Sequence, residues 1–165
     1  MNVNQKVSRI LAEKFPESVI ISEEPQNDFI QLNSEKWNEI AKFLKTGTKL
    51  KFDSCQCITG VDLGGEEYLE IRYNLHSTKH LHKIEIRIAA DRKRPSIPSV
   101  EQVWRVADWF EREVYDMYGI RFKGHRDLRR MLLPDDWKGW PLRKDYKTPQ
   151  TYNGMKVPKV RKGWD

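Results

Sequence analysis

Apolar and polar positions along this chain repeat with two periods, and the switch between them sets the predicted elements. Val3, Val7, Ile10, Leu11 and Phe15 recur at helical spacing and Pro16 closes the run, so a helix is predicted over residues 3–15. The short apolar run 18–22 (SVIIS) and residues 28–32 (DFIQL) read as strands. Ser34 is placed to cap a second helix through about Leu44, with Trp37, Ile40, Ala41 and Leu44 on one face and Gly47 as its stop.

The period then falls to two. Residues 50–63, 68–77 and 81–90 are three β-like stretches. In the third, Leu81, Lys83, Glu85 and Arg87 alternate with His82, Ile84, Ile86 and Ile88, which predicts one wet face and one apolar face. Gly64 and Gly65 suit a hairpin loop between the first two. Two prolines and four charges mark 91–99 as a loop. Ser99 and Gln102 form a capping-box pattern that opens a third helix. Val100, Val103, Trp104, Ala107, Phe110, Val114 and Met117 are its apolar stripe, and Gly119 takes the left-handed turn that ends it.

Beyond Gly119 no period survives, although Leu132, Leu133, Trp137 and Trp140 need cover from the domain or from a partner. The prediction is therefore an α+β fold in one domain. Four or five strands in a mixed or antiparallel sheet span 18–90, packed by helices near 3–15, 34–45 and 99–118. Residues 1–118 form the domain, and 119–165 form an extended basic tail that docks on partners.

Charge sharpens that division. Residues 1–118 carry 17 Lys/Arg against 19 Asp/Glu, whereas 119–165 carry 13 against 5. The whole positive excess sits in the tail, which favours an acidic partner, protein or nucleic acid. No apolar run reaches the roughly 20 residues needed to span a membrane, and the first residues lack the apolar block of a signal peptide.

Candidate chemistry is sparse. Cys55 and Cys57, one residue apart in a strand, are expected to face the same way, with no further cysteine to complete a cluster. His80 and His82 share a strand face but lack a third ligand at metal-site spacing. His125 stands beside Arg126 and Asp127, a candidate general-base pair, yet no framed serine, paired cysteine or phosphate loop accompanies it. Arg121, Lys123, Arg126, Arg129 and Arg130, with Phe122, Trp137 and Trp140, could track phosphates and stack bases. Glu111, Glu113 and Asp116 just before them would repel a phosphate backbone. These acids are instead expected to pair with Arg126, Arg129, Arg130 and a partner, since guanidinium forks suit carboxylates at interfaces.

The same run carries a resemblance. Residues 111–136, EREVYDMYGIRFKGHRDLRRMLLPDD, followed by GWPLRKDY, resemble the signature of the C subunit (the 30 kDa subunit family) of respiratory complex I, the NADH:quinone oxidoreductase. The matching positions are Glu111, Arg112, Glu113, Asp116, Met117, Tyr118 and Gly119, then Gly124 and His125. The match continues through Leu128, Arg129, Arg130, Met131 and Leu132, and closes with Pro141, Leu142, Arg143, Lys144, Asp145 and Tyr146. Arg126 stands where the family usually has proline, which leaves that turn less constrained. GWPLRKDY also resembles the J subunit of the cyanobacterial and plastid complex, which takes electrons from ferredoxin.

The resemblance implies a non-catalytic subunit of the hydrophilic arm that braces the quinone-site D subunit and the B and I subunits. Glu111, Arg112, Glu113, Asp116, Gly119, Gly124, His125, Arg129, Arg130, Pro141, Arg143, Lys144 and Asp145 are then its interface residues. It implies no cofactor in this chain. NADH or ferredoxin, FMN, iron–sulfur clusters and quinone belong to other subunits. It also implies a peripheral position on the cytoplasmic side of the cell inner membrane, or on a thylakoid membrane. The alternatives are the equivalent subunit of a ferredoxin-dependent or membrane-bound hydrogenase complex, and a nucleic-acid-binding module.

Overall fold

The computed structural model describes residues 3–20 and 28–157. The chain opens with helix α1 (Val3–Lys14), which buries Val7 and Leu11. Strands β1 (Val19–Ile20) and β2 (Phe29–Leu32) follow; the end of the predicted strand 18–22 lies outside the described residues. Helix α2 (Trp37–Thr46) buries Trp37, Ile40, Ala41 and Leu44, the face expected from the sequence. Its start is later than expected and Ser34 does not cap it. Lys36 holds the cap position, and a turn in which the Trp37 N–H reaches the Ser34 carbonyl precedes it.

Strands β3 (Ser54–Val61), β4 (Tyr68–Ser77) and β5 (His82–Asp91) complete a five-stranded sheet of order β1-β2-β5-β4-β3. The sheet is mixed: β2 runs parallel to β5 and every other pair is antiparallel. The period-two pattern holds. Ile84, Ile86, Ile88 and Ala90 of β5 and Leu69, Ile71, Tyr73 and Leu75 of β4 are buried in one core. Trp37 lies 4.7 Å from Tyr73, so α2 packs on that face. One expectation fails in β3. A bulge shifts the register between Cys55 (opposite Leu75) and Cys57 (opposite Asn74), so Cys55 is buried and Cys57 faces outward.

The predicted loop 91–99 hides a strand. β6 (Ser96–Pro98) pairs parallel with β7 (Arg121–Lys123), 25 residues on. Helix α3 (Ala107–Tyr118) starts well after Ser99, behind a tight turn in which the N–H groups of Val103 and Trp104 both reach the Val100 carbonyl. Ser99 therefore caps nothing in α3. Gly119 ends the helix as expected, at φ 71°, ψ 22°. A small hairpin, β8 (Thr151–Tyr152) with β9 (Met155–Lys156), turns at Asn153-Gly154, both at positive φ. No helix among the described residues is long and apolar enough to cross a membrane.

Candidate functional site

The apolar stripe of α3 accounts for only part of its buried surface. Glu111 and Asp116 are fully buried and Arg112 nearly so, although the sequence reads all three as polar. Each is buried because the chain on either side of α3 supplies partners.

Asp116 is the most heavily bonded. Its Oδ2 accepts the backbone N–H groups of Met131, Leu132 and Leu133 at 3.1, 2.8 and 3.0 Å. Its Oδ1 accepts Arg130 Nη1 at 2.7 Å. Burial pushes this carboxyl upward, but the three N–H groups and the guanidinium outweigh it and hold it below its ordinary 3.8. Arg130 then reaches onward. Its Nη2 donates to the Trp137 and Gly139 carbonyls, and its guanidinium lies 4.6 Å from the Trp140 ring. Trp140 in turn rests on Gly119, where any Cβ would collide with its indole.

Glu111 finds no arginine. Its Oε2 accepts the Ser99 hydroxyl at 2.6 Å and its Oε1 the Val100 N–H at 2.7 Å. Burial raises its pKa from 4.5 to about 7 despite those two donors. The His125 side chain is also fully buried. Its Nδ1 accepts the Asp127 N–H at 3.1 Å, so the proton sits on Nε2 and points to the Asp108 carbonyl at 3.2 Å.

Among the described residues, Glu101, Asp108 and His125 each bring one ligand atom within 4.8 Å of the others. The His125 Nε2 carries a proton, however, and Glu101 accepts Nε and Nη2 of Arg126 at 2.8 and 3.1 Å. Glu101 and His125 are therefore committed to internal bonds, whereas Asp108 Oδ1 is buried without a hydrogen-bond partner among the described residues, 3.4 Å from His125 Nε2. His80 and His82 are likewise engaged with the Thr48 and Leu50 carbonyls.

The expected acid–arginine pairing is thus realised once, as Asp116–Arg130. Arg126 goes to Glu101, and Arg129 pairs with Asp127 in the open. Arg112 donates weakly to the Arg129 carbonyl and lies 5.2 Å from the Trp109 ring. Glu113 is exposed, and Gly124 takes a positive φ with open space around it.

A second carboxylate receives the closing part of the signature. Asp62 Oδ1 and Oδ2 accept Arg92 Nη1 and Nη2 at 2.7 and 2.8 Å, and Asp62 also takes the N–H groups of Gly64 and Lys144. The Arg92 fork holds Asp62 far below its ordinary range, against the opposing push of burial. Asp145 adds a longer contact to Arg92 at 3.2 Å. Arg143 Nε donates to the Tyr118 carbonyl at 2.7 Å, and the Leu142 N–H reaches the Met117 carbonyl. Pro141, half-buried, lies just before these anchors. Ser99, Glu101, Asp62 and Arg92 were not among the expected site residues. The sequence signals are the Asp62-x-Gly64 turn pattern and the capping-type Ser99, whose partner is Glu111 in place of a helix end.

These geometries give the run 111–146 a structural logic: two buried carboxylates, Asp116 and Asp62, hold it against α3 and the sheet. Comparison with known proteins agrees with the signature. The family model for the respiratory-chain NADH dehydrogenase 30 Kd subunit matches residues 30–152. The C subunit of the NADH-quinone oxidoreductase of Chlorobium phaeobacteroides is 47% identical over 90% of this chain and 92% of its own length. The corresponding subunit of Chloroherpeton thalassium is 44% identical over 91% of this chain, which spans 63% of that relative. The solved trypsin-resistant fragment of Nqo5 superposes with a TM-score of 0.61 at 27% identity, covering 74% of this chain and 99% of the fragment. The chain belongs to the 30 Kd subunit family of the respiratory-chain NADH dehydrogenase, the family that includes the C subunits of NADH-quinone oxidoreductases.

Proposed function

We propose that this chain is a non-catalytic, bracing subunit of the hydrophilic arm of NADH:quinone oxidoreductase. In this reading it supports the quinone-site D subunit and the B and I subunits, peripherally, on the cytoplasmic face of the inner membrane. Redox groups belong to those neighbours and to the rest of the arm.

One observation carries the reading. The signature side chains with chemical potential are already engaged in internal bonds: Asp116, Glu111 and Arg130 are each committed to partners in this chain, and His125 is shut from solvent. What the run leaves outward mixes apolar side chains with charges of both signs. Leu132 and Leu142 are 59% and 52% exposed, with Arg129 and Lys144 near them in sequence. An ordered run with such an outer surface suits a protein partner.

The test is affinity capture of the tagged chain from detergent-solubilised membranes. The B, D and I subunits should co-purify, and the isolated chain should lack a flavin or iron–sulfur absorbance band. Recovery of hydrogenase subunits, or of nucleic acid with a steep loss in salt, would overturn the assignment.

A further inference from the structure

The run 124–146 leaves one face of α3 uncovered, and that face has its own chemistry. Trp109 is 58% exposed, and Val106, three residues earlier, is 42% exposed. The Trp109 ring is backed by the nearly buried Arg112 guanidinium at 5.2 Å, which steadies it on a rigid helix. Arg105, the residue before Val106, lines a cleft of about 380 Å³ between the end of α2 and the start of α3. Lys45, Gln102, Arg105 and Arg126 line it, over Glu101.

The cleft holds three cations and one carboxylate, and that carboxylate is already used. Glu101 is 1% exposed and takes two nitrogens of Arg126. Lys45 is tethered to the Val103 carbonyl. Arg105 is exposed and makes no ion pair among the described residues. The cleft therefore carries net positive charge.

We propose that Val106, Trp109 and this cationic cleft form a docking surface for an acidic segment of a neighbouring protein subunit. An apolar side chain of that segment seats on Trp109 and a carboxylate enters the cleft opposite Arg105. The inference rests on the subunit reading above and specifies the chemistry of one partner contact. A tryptophan that loses its water on docking, beside an arginine, is the usual make-up of an energetic hot spot. Charge favours protein over nucleic acid. Asp108 and Glu113 lie on the same helix as Trp109, so a continuous phosphate backbone would meet them, whereas one or two carboxylates would not.

The experiment compares wild type with Trp109→Ala and Arg105→Glu in native-gel assembly of the oxidoreductase and in thermal melting of the free chain. Both side chains are exposed, so both variants should melt like wild type. Each should lower incorporation into the assembled complex at least about tenfold at limiting expression. Arg105→Glu should be partly rescued by a Lys replacement of the partner acid that cross-linking identifies. If wild type assembles and both variants assemble equally well, the docking surface is wrong and the subunit reading stands. If wild type itself recovers no oxidoreductase subunit, both fall together. A Trp109→Ala chain that unfolds alone would also overturn the inference, because the indole would then belong to the fold.

Discussion

Removing the Asp116 carboxylate tests the central geometry most directly. In Asp116→Ala three backbone N–H groups and the Arg130 guanidinium lose one shared acceptor, and Arg130 is only 11% exposed. Breaking a buried pair from one side typically costs about 3–5 kcal/mol, because the remaining charge stays desolvated and unpaired. Part of that cost is recovered if the 130–133 segment swings into water, so the expected loss lies at the lower end, about 3 kcal/mol. Urea unfolding of the free chain measures it, and amide exchange at residues 131–133 localises it. Arg130→Ala should behave similarly, since it also frees the Trp137 and Gly139 carbonyls. Arg129→Ala is the control. Its pair with Asp127 is 69% and 56% exposed and should contribute less than about 1 kcal/mol. The sign with pH follows from the depressed Asp116 pKa: its stabilisation is present above the ordinary 3.8 and is lost as pH falls below it. Unchanged exchange protection at 131–133 in Asp116→Ala would refute the clamp. Equal costs for Arg129→Ala and Arg130→Ala would refute the division between an internal and a surface arginine.

Glu111 should act with the opposite sign. With its pKa raised from 4.5 to about 7, the folded chain holds that proton more tightly, so stability falls as pH climbs through this window, by about 3 kcal/mol in all. Urea melts at pH 5 and pH 8 should show most of that loss in wild type and a much smaller one in Glu111→Gln; equal slopes would sink the assignment. Gly119→Ala combines a left-handed backbone with a collision against Trp140 and should cost at least about 1–2 kcal/mol, with a changed near-ultraviolet spectrum. Asp62→Ala should loosen Lys144 and the Arg92 fork, raising amide exchange at residue 144 while 131–133 stay protected; protection lost at both places would mean one cooperative clamp instead of two.

Much of this fold is written locally. Alternation in β4 and β5, the apolar face of α2, the Pro16 stop after α1 and the left-handed Gly119 all follow from neighbours within a few residues. A side chain's face is set by the backbone period that carries it. The family was legible for a related reason: 111–146 is one contiguous run of unusual residue types. What the sequence left open is non-local. The β6–β7 pair is two three-residue strands, too short to show a period, joined across α3. The same applies to the late start of α3: the Ser99 hydroxyl donates to Glu111, twelve residues on, and its oxygen accepts the Glu101 N–H in a turn that precedes the helix. For Glu111, Arg112 and Asp116 the sequence offers charge partners by type, but periodicity records hydrophobicity alone and shows neither their burial nor which partner each takes. Only the folded chain brings the N–H groups of 131–133, the Arg130 fork and the Ser99 hydroxyl to them, and those bonds are what offset the cost of burying a charged side chain.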